Sequence, residues 1–184
     1  AASKAAFAAE QQAYAKADAF TAAVEKGAEL YRSGDREAGR AQILNADSGG
    51  DLQLDMQRTM TLLELYISGE PLRFRRTVNE MFESGPEGRS NLAFFCLNAS
   101  QAPGANKDMI GKIAARIANE AGDADPFSLY FAGMALMECD NAAAAVKALE
   151  RSVALLKGMD LPAELTQEIN DALKLAREKA AAGS

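Results

Sequence analysis

Apolar residues recur along this chain at helical spacing. Leu165, Ile169, Ala172, Leu173 and Ala176 form one strip, and Glu164, Glu168, Asp171 and Lys174 take the remaining faces. Leu54, Leu62, Leu65 and Ile67 likewise leave polar positions between them, and Phe7, Tyr14, Ala17, Val24, Ala28 and Tyr31 run near heptad spacing. Strand-type alternation is almost absent and Ala, Leu, Met and Glu are frequent, so the pattern predicts an all-α protein. Breakers and caps then set the elements. A helix over 3–33 ends at Gly34-Asp35, and a second covers 36–45. After Gly49-Gly50, Asp51 caps a helix over 52–68. Pro71 suits the first turn of a helix to Ser84, which Gly85-Pro86 stops. Helices over 88–100 and 105–121 follow, and Asp125 caps one from Pro126 to Glu138. Another runs from Ala142 to Gly158, and the last covers 162–181.

The turns return at a nearly fixed interval. Ser33-Gly34-Asp35, Ser68-Gly69-Glu70, Pro103-Gly104-Ala105 and Cys139-Asp140-Asn141 place Gly34, Gly69, Gly104 and Asp140 at separations of 35, 35 and 36 residues. A period in the mid-thirties with helices on both sides of each turn predicts stacked helix pairs. Superposed on these turns, Gly27, Leu62, Leu97 and Gly133 share one position, and Leu30, Leu65, Ser100 and Leu136 another. Gly39, Phe74, Met109 and Ala145 align next, followed by Ile43, Val78, Ile113 and Leu149.

With these residues aligned, the chain resembles the tetratricopeptide repeat (TPR) family over roughly residues 20–158. The fourth segment matches best through Leu129, Ala132-Gly133, Leu136, Asp140-Asn141, Ala145, Leu149 and Ser152, whereas Leu62 and Leu97 replace the small contact residue in the middle segments. The resemblance implies a right-handed α-solenoid of about four antiparallel helix pairs in a single domain over 1–184. Residues 3–19 form an N-terminal helical extension, 20–158 the four degenerate repeats, and 162–181 a C-terminal capping helix over the last repeat edge.

In this family the first helix of each pair lines a concave surface. The matching positions here are Thr21, Val24, Ala28 and Tyr31, then Thr59, Leu63, Tyr66 and Ile67. Asn91, Phe94, Asn98 and Gln101 follow, then Phe127, Tyr130, Met134 and Met137. The resemblance therefore implies a protein or peptide partner, such as an apolar or amphipathic helix, held by Tyr31, Thr59, Leu63, Tyr66, Phe94, Asn98, Phe127, Tyr130, Met134 and Met137. Truncating a central anchor of such a groove costs roughly 1–4 kcal/mol. The same aromatics also suit packing between successive helices, and both readings stand. Where some members clamp a terminal carboxylate with basic side chains, this chain has Val24, Ala28, Thr59 and Leu63. Asn98 alone is suggestive, so that clamp is not expected. The expected role is an adaptor, assembly factor or chaperone-like scaffold. Two alternatives stand beside it: self-association through Phe7, Tyr14 and the flanking alanines, and a small-molecule receptor closed around Tyr66, Phe94 and Tyr130.

Composition narrows the partners. The 184 residues are 48 % apolar, enough for a sizeable core, and the formal net charge of -6 disfavours nucleic acid. Arg73, Arg75 and Arg76, with Arg58, form the densest basic cluster, read as a solvated face or as a patch for an acidic partner. Cys96 and Cys139 are the only cysteines and form no CxxC motif. They read as buried thiols, or as one bond between repeats in an oxidising compartment. No membrane span is expected. The opening Ala1-Ala2-Ser3 fits either a trimmed or a processed chain, so cytoplasmic and periplasmic or secreted locations both stand.

Little here suggests bond chemistry. There is no histidine, which removes imidazole as base and as metal ligand. The carboxylate pairs Asp51/Asp55 and Asp123/Asp125 lie at helix caps, where negative charge is favourable without catalysis. Gly49-Gly50 lacks the lysine-serine or lysine-threonine ending of a phosphate loop. No enzyme activity, cofactor or metal is expected, although a convergent carboxylate or lysine cluster would reopen the question.

Overall fold

A computed structural model describes residues 2–122 and 125–183, so Asp123 of the second carboxylate pair lies outside the described residues. Among the described residues there are nine α-helices. They are α1 (Ala2–Arg32), α2 (Arg36–Leu44), α3 (Leu52–Gly69), α4 (Pro71–Glu83), α5 (Pro86–Gln101), α6 (Lys107–Glu120), α7 (Pro126–Glu138), α8 (Ala142–Leu156) and α9 (Ala163–Ala182). Side-chain caps fix the starts. Asp51 accepts from the amides of Gln53 and Leu54, Asn106 from Met109, Asp125 from Ser128 and Asn141 from Ala144. The sequence pattern starts α5 two residues late. Pro86 does not merely stop the preceding helix; it opens the next one, because its missing donor is no loss in a first turn. Likewise α6 starts at Lys107 rather than 105, since Asn106 is its cap, and α8 stops at Leu156, short of Gly158.

The repeated turns are not all alike. Gly34, Gly104 and Asp140 have φ of 109°, 75° and 60°, the left-handed region in which a glycine or an Asx residue reverses a chain. Gly69 instead closes α3, with Glu70 alone between it and Pro71. A Cβ on Gly69 would lie 3.2 Å from the Tyr31 hydroxyl, so the small residue there accommodates a close neighbour.

The chain divides into two compact units, Ala1–Thr77 and Val78–Ser184. In the first, α1 packs on α2 and α3, and α2 on α3. Phe20, Val24, Ala28, Ile43 and Leu63 are buried. The α1–α2 crossing is set by Gly27 and Gly39. A Cβ on Gly39 would lie 2.5 Å from the Gly27 carbonyl oxygen and 2.5 Å from the Tyr31 amide nitrogen, so the two backbones touch. Arg58 closes the end of α2 by donating from Nη1 to the carbonyls of Leu44 (3.1 Å) and Ala46 (2.8 Å), and it also pairs with Asp55. It therefore does not belong to the solvated arginine cluster proposed from sequence. Unpaired C-terminal carbonyls attract a forked cation, and Arg58 reaches them.

In the second unit α5 packs on α6 and α7, α6 on α7, α7 on α8 and α9, and α8 on α9. Each helix thus meets the next and the next but one, the arrangement of stacked hairpins. Helix α7 lies at the centre, with Ser128, Leu129, Tyr130, Ala132, Gly133, Ala135, Leu136 and Met137 buried. Apolar residues all around a helix are what such a position requires. Arg151 repeats the capping device, donating to the carbonyls of Ala118 (2.7 Å), in the last turn of α6, and of Ala121 (2.9 Å), just past its end.

Candidate functional site

Five of the ten residues expected to hold a partner, Tyr31, Leu63, Tyr66, Tyr130 and Met137, are buried. In the first unit Leu63 is fully buried, Tyr31 and Tyr66 are buried with their rings 6.4 Å apart, and Thr59 is half-buried, its hydroxyl donating to the Asp55 carbonyl. The Tyr31 hydroxyl donates to Glu70 Oε1 at 2.7 Å. Arg73 pairs with the same carboxylate, Arg40 lies 3.9 Å from it, and Arg36 lies 5.8 Å from the Tyr31 ring centroid. Burial, followed by the bond to the negatively charged Glu70, pushes the Tyr31 hydroxyl up to about 12. Burial acts to raise Glu70 as well. The hydrogen bonds from Tyr31 and Arg73 outweigh it and hold the carboxylate below its ordinary value. This cluster is a clip between helix ends, in which Tyr31 and Arg73 bond Glu70 and Arg40 stands close by.

The accessible members lie in the second unit. Phe94 on α5 is 40 % exposed, and Asn98, one turn later, is exposed as well. On α7, Phe127 and Met134 are half-buried, while Tyr130 and Met137 are buried. Sequence reasoning missed Phe131, a half-buried ring 5.3 Å from that of Phe94 and 5.3 Å from that of Tyr130. Its signal was in the sequence: Phe127, Phe131 and Met134 stand at i, i+4 and i+7, the spacing of one helix face. The row ends on α9, where Glu168 accepts the Tyr130 hydroxyl at 2.8 Å. Burial and this bond raise the Tyr130 hydroxyl above its usual value. Phe94, Phe131, Tyr130 and Glu168 thus join α5, α7 and α9 in one line, of which Phe94 and Phe131 reach the surface.

Charge along this line is one-sided. Helix α7 carries a single charged residue, Glu138, and α5 has none after Arg89. Two open recesses lie elsewhere in the unit. One of about 220 Å³ is lined by Val153, Leu156, Leu161 and Ile169 with Lys157, Thr166 and Asn170, and one of about 420 Å³ lies between α6 and α8. Neither is lined by Tyr66, Phe94 or Tyr130, the residues proposed to enclose a small molecule.

Among the described residues, no group of three or more Cys, Asp or Glu side chains is placed to hold a metal ion. Both cysteines are free thiols; Cys96 is buried, which raises its pKa, and Cys139 is half-buried. No described helix is long and apolar enough to cross a membrane. No model of a known protein family matches the chain, and neither a curated protein nor a solved structure matches it significantly. What the geometry defines is an all-α protein of stacked helix pairs.

Proposed function

We propose that the helix pairs are four degenerate repeats of the tetratricopeptide kind and that the chain is a non-enzymatic scaffold. It captures a protein segment on the face shared by α5 and α7. The observation that carries this reading is the pairing of exposed Phe94 with half-buried Phe131 beside Met134, which presents polarisable, apolar anchors across two adjacent helices. Asn98 and Phe127 flank these anchors. Buried Tyr130 and Met137 support the face from below, and Tyr31, Leu63 and Tyr66 belong to the packing of the first unit.

The bordering carboxylates Glu138, the single charge on α7, and Glu168 favour an occupant with lysine or arginine beside its apolar stripe. The matching ligand is a basic amphipathic helix laid across α5 and α7. As an adaptor, assembly factor or chaperone-like subunit, the protein would act by positioning or shielding that segment.

A displayed library of helical peptides selected on the intact chain tests this, with Phe94→Asp as counter-selection. Enrichment of peptides with apolar residues at i, i+3 or i+4 and i+7 interleaved with basic residues, bound at least about ten-fold more weakly by Phe94→Asp, is the expected result. Equal binding of the enriched peptides to both proteins would overturn the reading.

A further inference from the structure

The first half of α1 carries two exposed aromatic rings, Phe7 and Tyr14, that the α5–α7 face does not account for. From Phe20 onward, α1 buries Phe20, Val24, Ala28 and Tyr31 against its neighbours. Ahead of Phe20 the described side chains from Lys4 to Ala19 are exposed, apart from half-buried Ala17. Phe7 and Tyr14 are 61 % and 64 % exposed, so the near-heptad stripe read from sequence packs on the first helix pair only through its later members.

These two aromatics are not isolated. Lys4, Phe7, Gln11, Tyr14 and Asp18 follow one another at intervals of three, four, three and four, which places all five on a single seam of about 21 Å. The seam has a cation at one end, an anion at the other and two rings between. The alanines beside it, Ala6, Ala8, Ala13 and Ala15, allow a second helix to approach closely.

We propose that this seam pairs with the same seam of a second copy, antiparallel. Charge complementarity decides both the occupant and the direction. Antiparallel pairing brings Lys4 of each helix to the end that carries Asp18 of the other, twice per dimer. Parallel pairing sets Lys4 against Lys4 and Asp18 against Asp18. The helix dipoles favour the same antiparallel direction. Phe7 and Tyr14 then leave water between the two helices, flanked by the reciprocal ion pairs.

Sedimentation equilibrium of the intact chain at low ionic strength tests the pairing, with circular dichroism to show that each variant keeps its helices. The expected result is a monomer–dimer equilibrium that Phe7→Asp with Tyr14→Asp abolishes. Lys4→Asp and Asp18→Lys alone each weaken the dimer about ten-fold by turning two attractions into repulsions, and the double exchange Lys4→Asp with Asp18→Lys restores it. A monomeric mass at every concentration would overturn the proposal and leave the seam to a different molecule. So would a dimer indifferent to Phe7 and Tyr14, or a double exchange weaker than either single change. None of these outcomes bears on peptide binding at Phe94, so the two readings stand or fall separately.

Discussion

Replacing Gly39 by alanine tests how the first helix pair is built. In an exposed helix the change stabilises by about 1 kcal/mol, because alanine is the better helix former. Here the new Cβ would lie 2.5 Å from the Gly27 carbonyl oxygen, 2.5 Å from the Tyr31 amide nitrogen and 2.8 Å from the Tyr31 Cα. These are backbone atoms, which no rotamer change moves, and 2.5 Å is roughly 0.8 Å short of a normal carbon–oxygen contact. The helices must separate along the crossing, and a gap of that size forfeits about a quarter to a half of each affected dispersion contact. Overpacking of this kind costs about 1–3 kcal/mol, and against backbone atoms that cannot give way the upper part of that range, about 2–3 kcal/mol, applies, so after the propensity gain α2 is left less stable by about 1–2 kcal/mol. Hydrogen exchange followed by mass spectrometry reads this locally: the α2 amides should exchange about five- to thirty-fold faster. Unchanged or slower exchange would show that Gly39 merely weakens its helix, and the close-approach argument would fail.

Other changes probe other joints. Gly133→Ala should be milder than Gly39→Ala, because its Cβ meets the Leu149 side chain at 2.7 Å while the nearest backbone atom, the Ala145 oxygen, is 3.5 Å away; a cost equal to that of Gly39→Ala would contradict this. Arg151→Met strands the carbonyls of Ala118 and Ala121 and should destabilise the second unit by about 2–4 kcal/mol in denaturant unfolding, with Arg151→Lys recovering only part because an ammonium cannot fork. Tyr31→Phe should lower stability at neutral pH by about 1 kcal/mol. Between the ordinary tyrosine value of 10 and about 12 the folded chain keeps a proton at Tyr31 that the unfolded chain has released, so folding stability falls as pH rises. The fall reaches about 1.4 kcal/mol per pH unit, and the phenylalanine variant lacks it; parallel stability curves from pH 8 to 12 would contradict the assignment. Glu70 has the opposite sense: its lowered value adds stability above the ordinary carboxylate range that is lost as pH falls, and Glu70→Gln should flatten the acid limb.

The helix boundaries were legible because they rest on local chemistry. Asp51 and Asp125 cap the helices that follow them and Pro71 opens its own, without help from distant residues, whereas Pro86 opens α5 and Asn106 caps α6 at starts that the sequence pattern set two residues off. The Gly27–Gly39 and Gly133–Ala145 positions were legible as a repeat, although the distance at which the backbones meet was not. The face was harder to read, because the same positions on a first helix serve either packing or binding. Tyr31 and Tyr130 were drawn inward by Glu70 and Glu168, acids 39 and 38 residues further on, and sequence spacing does not show such long-range hydroxyl–carboxylate bonds. Phe131 stands between the groove positions Tyr130 and Met134 of the repeat alignment, so only the i, i+4, i+7 face that it shares with Phe127 and Met134 marks it. Arg58 looked like surface charge until the carbonyls of Leu44 and Ala46 lay within its reach.

The seven methionines provide a direct test of where a partner docks, because their methyl groups report separately in a carbon–proton spectrum. A selected basic amphipathic peptide, titrated into chain labelled at the methionine methyls, should shift the Met134 signal most. Met56 and Met60 of the first unit and Met159 after α8 should stay in place, and Phe94→Asp should suppress the Met134 shift. A peptide that moves Met56, Met60 or Met159 and leaves Met134 unchanged would place binding elsewhere and contradict a docking face on α5 and α7.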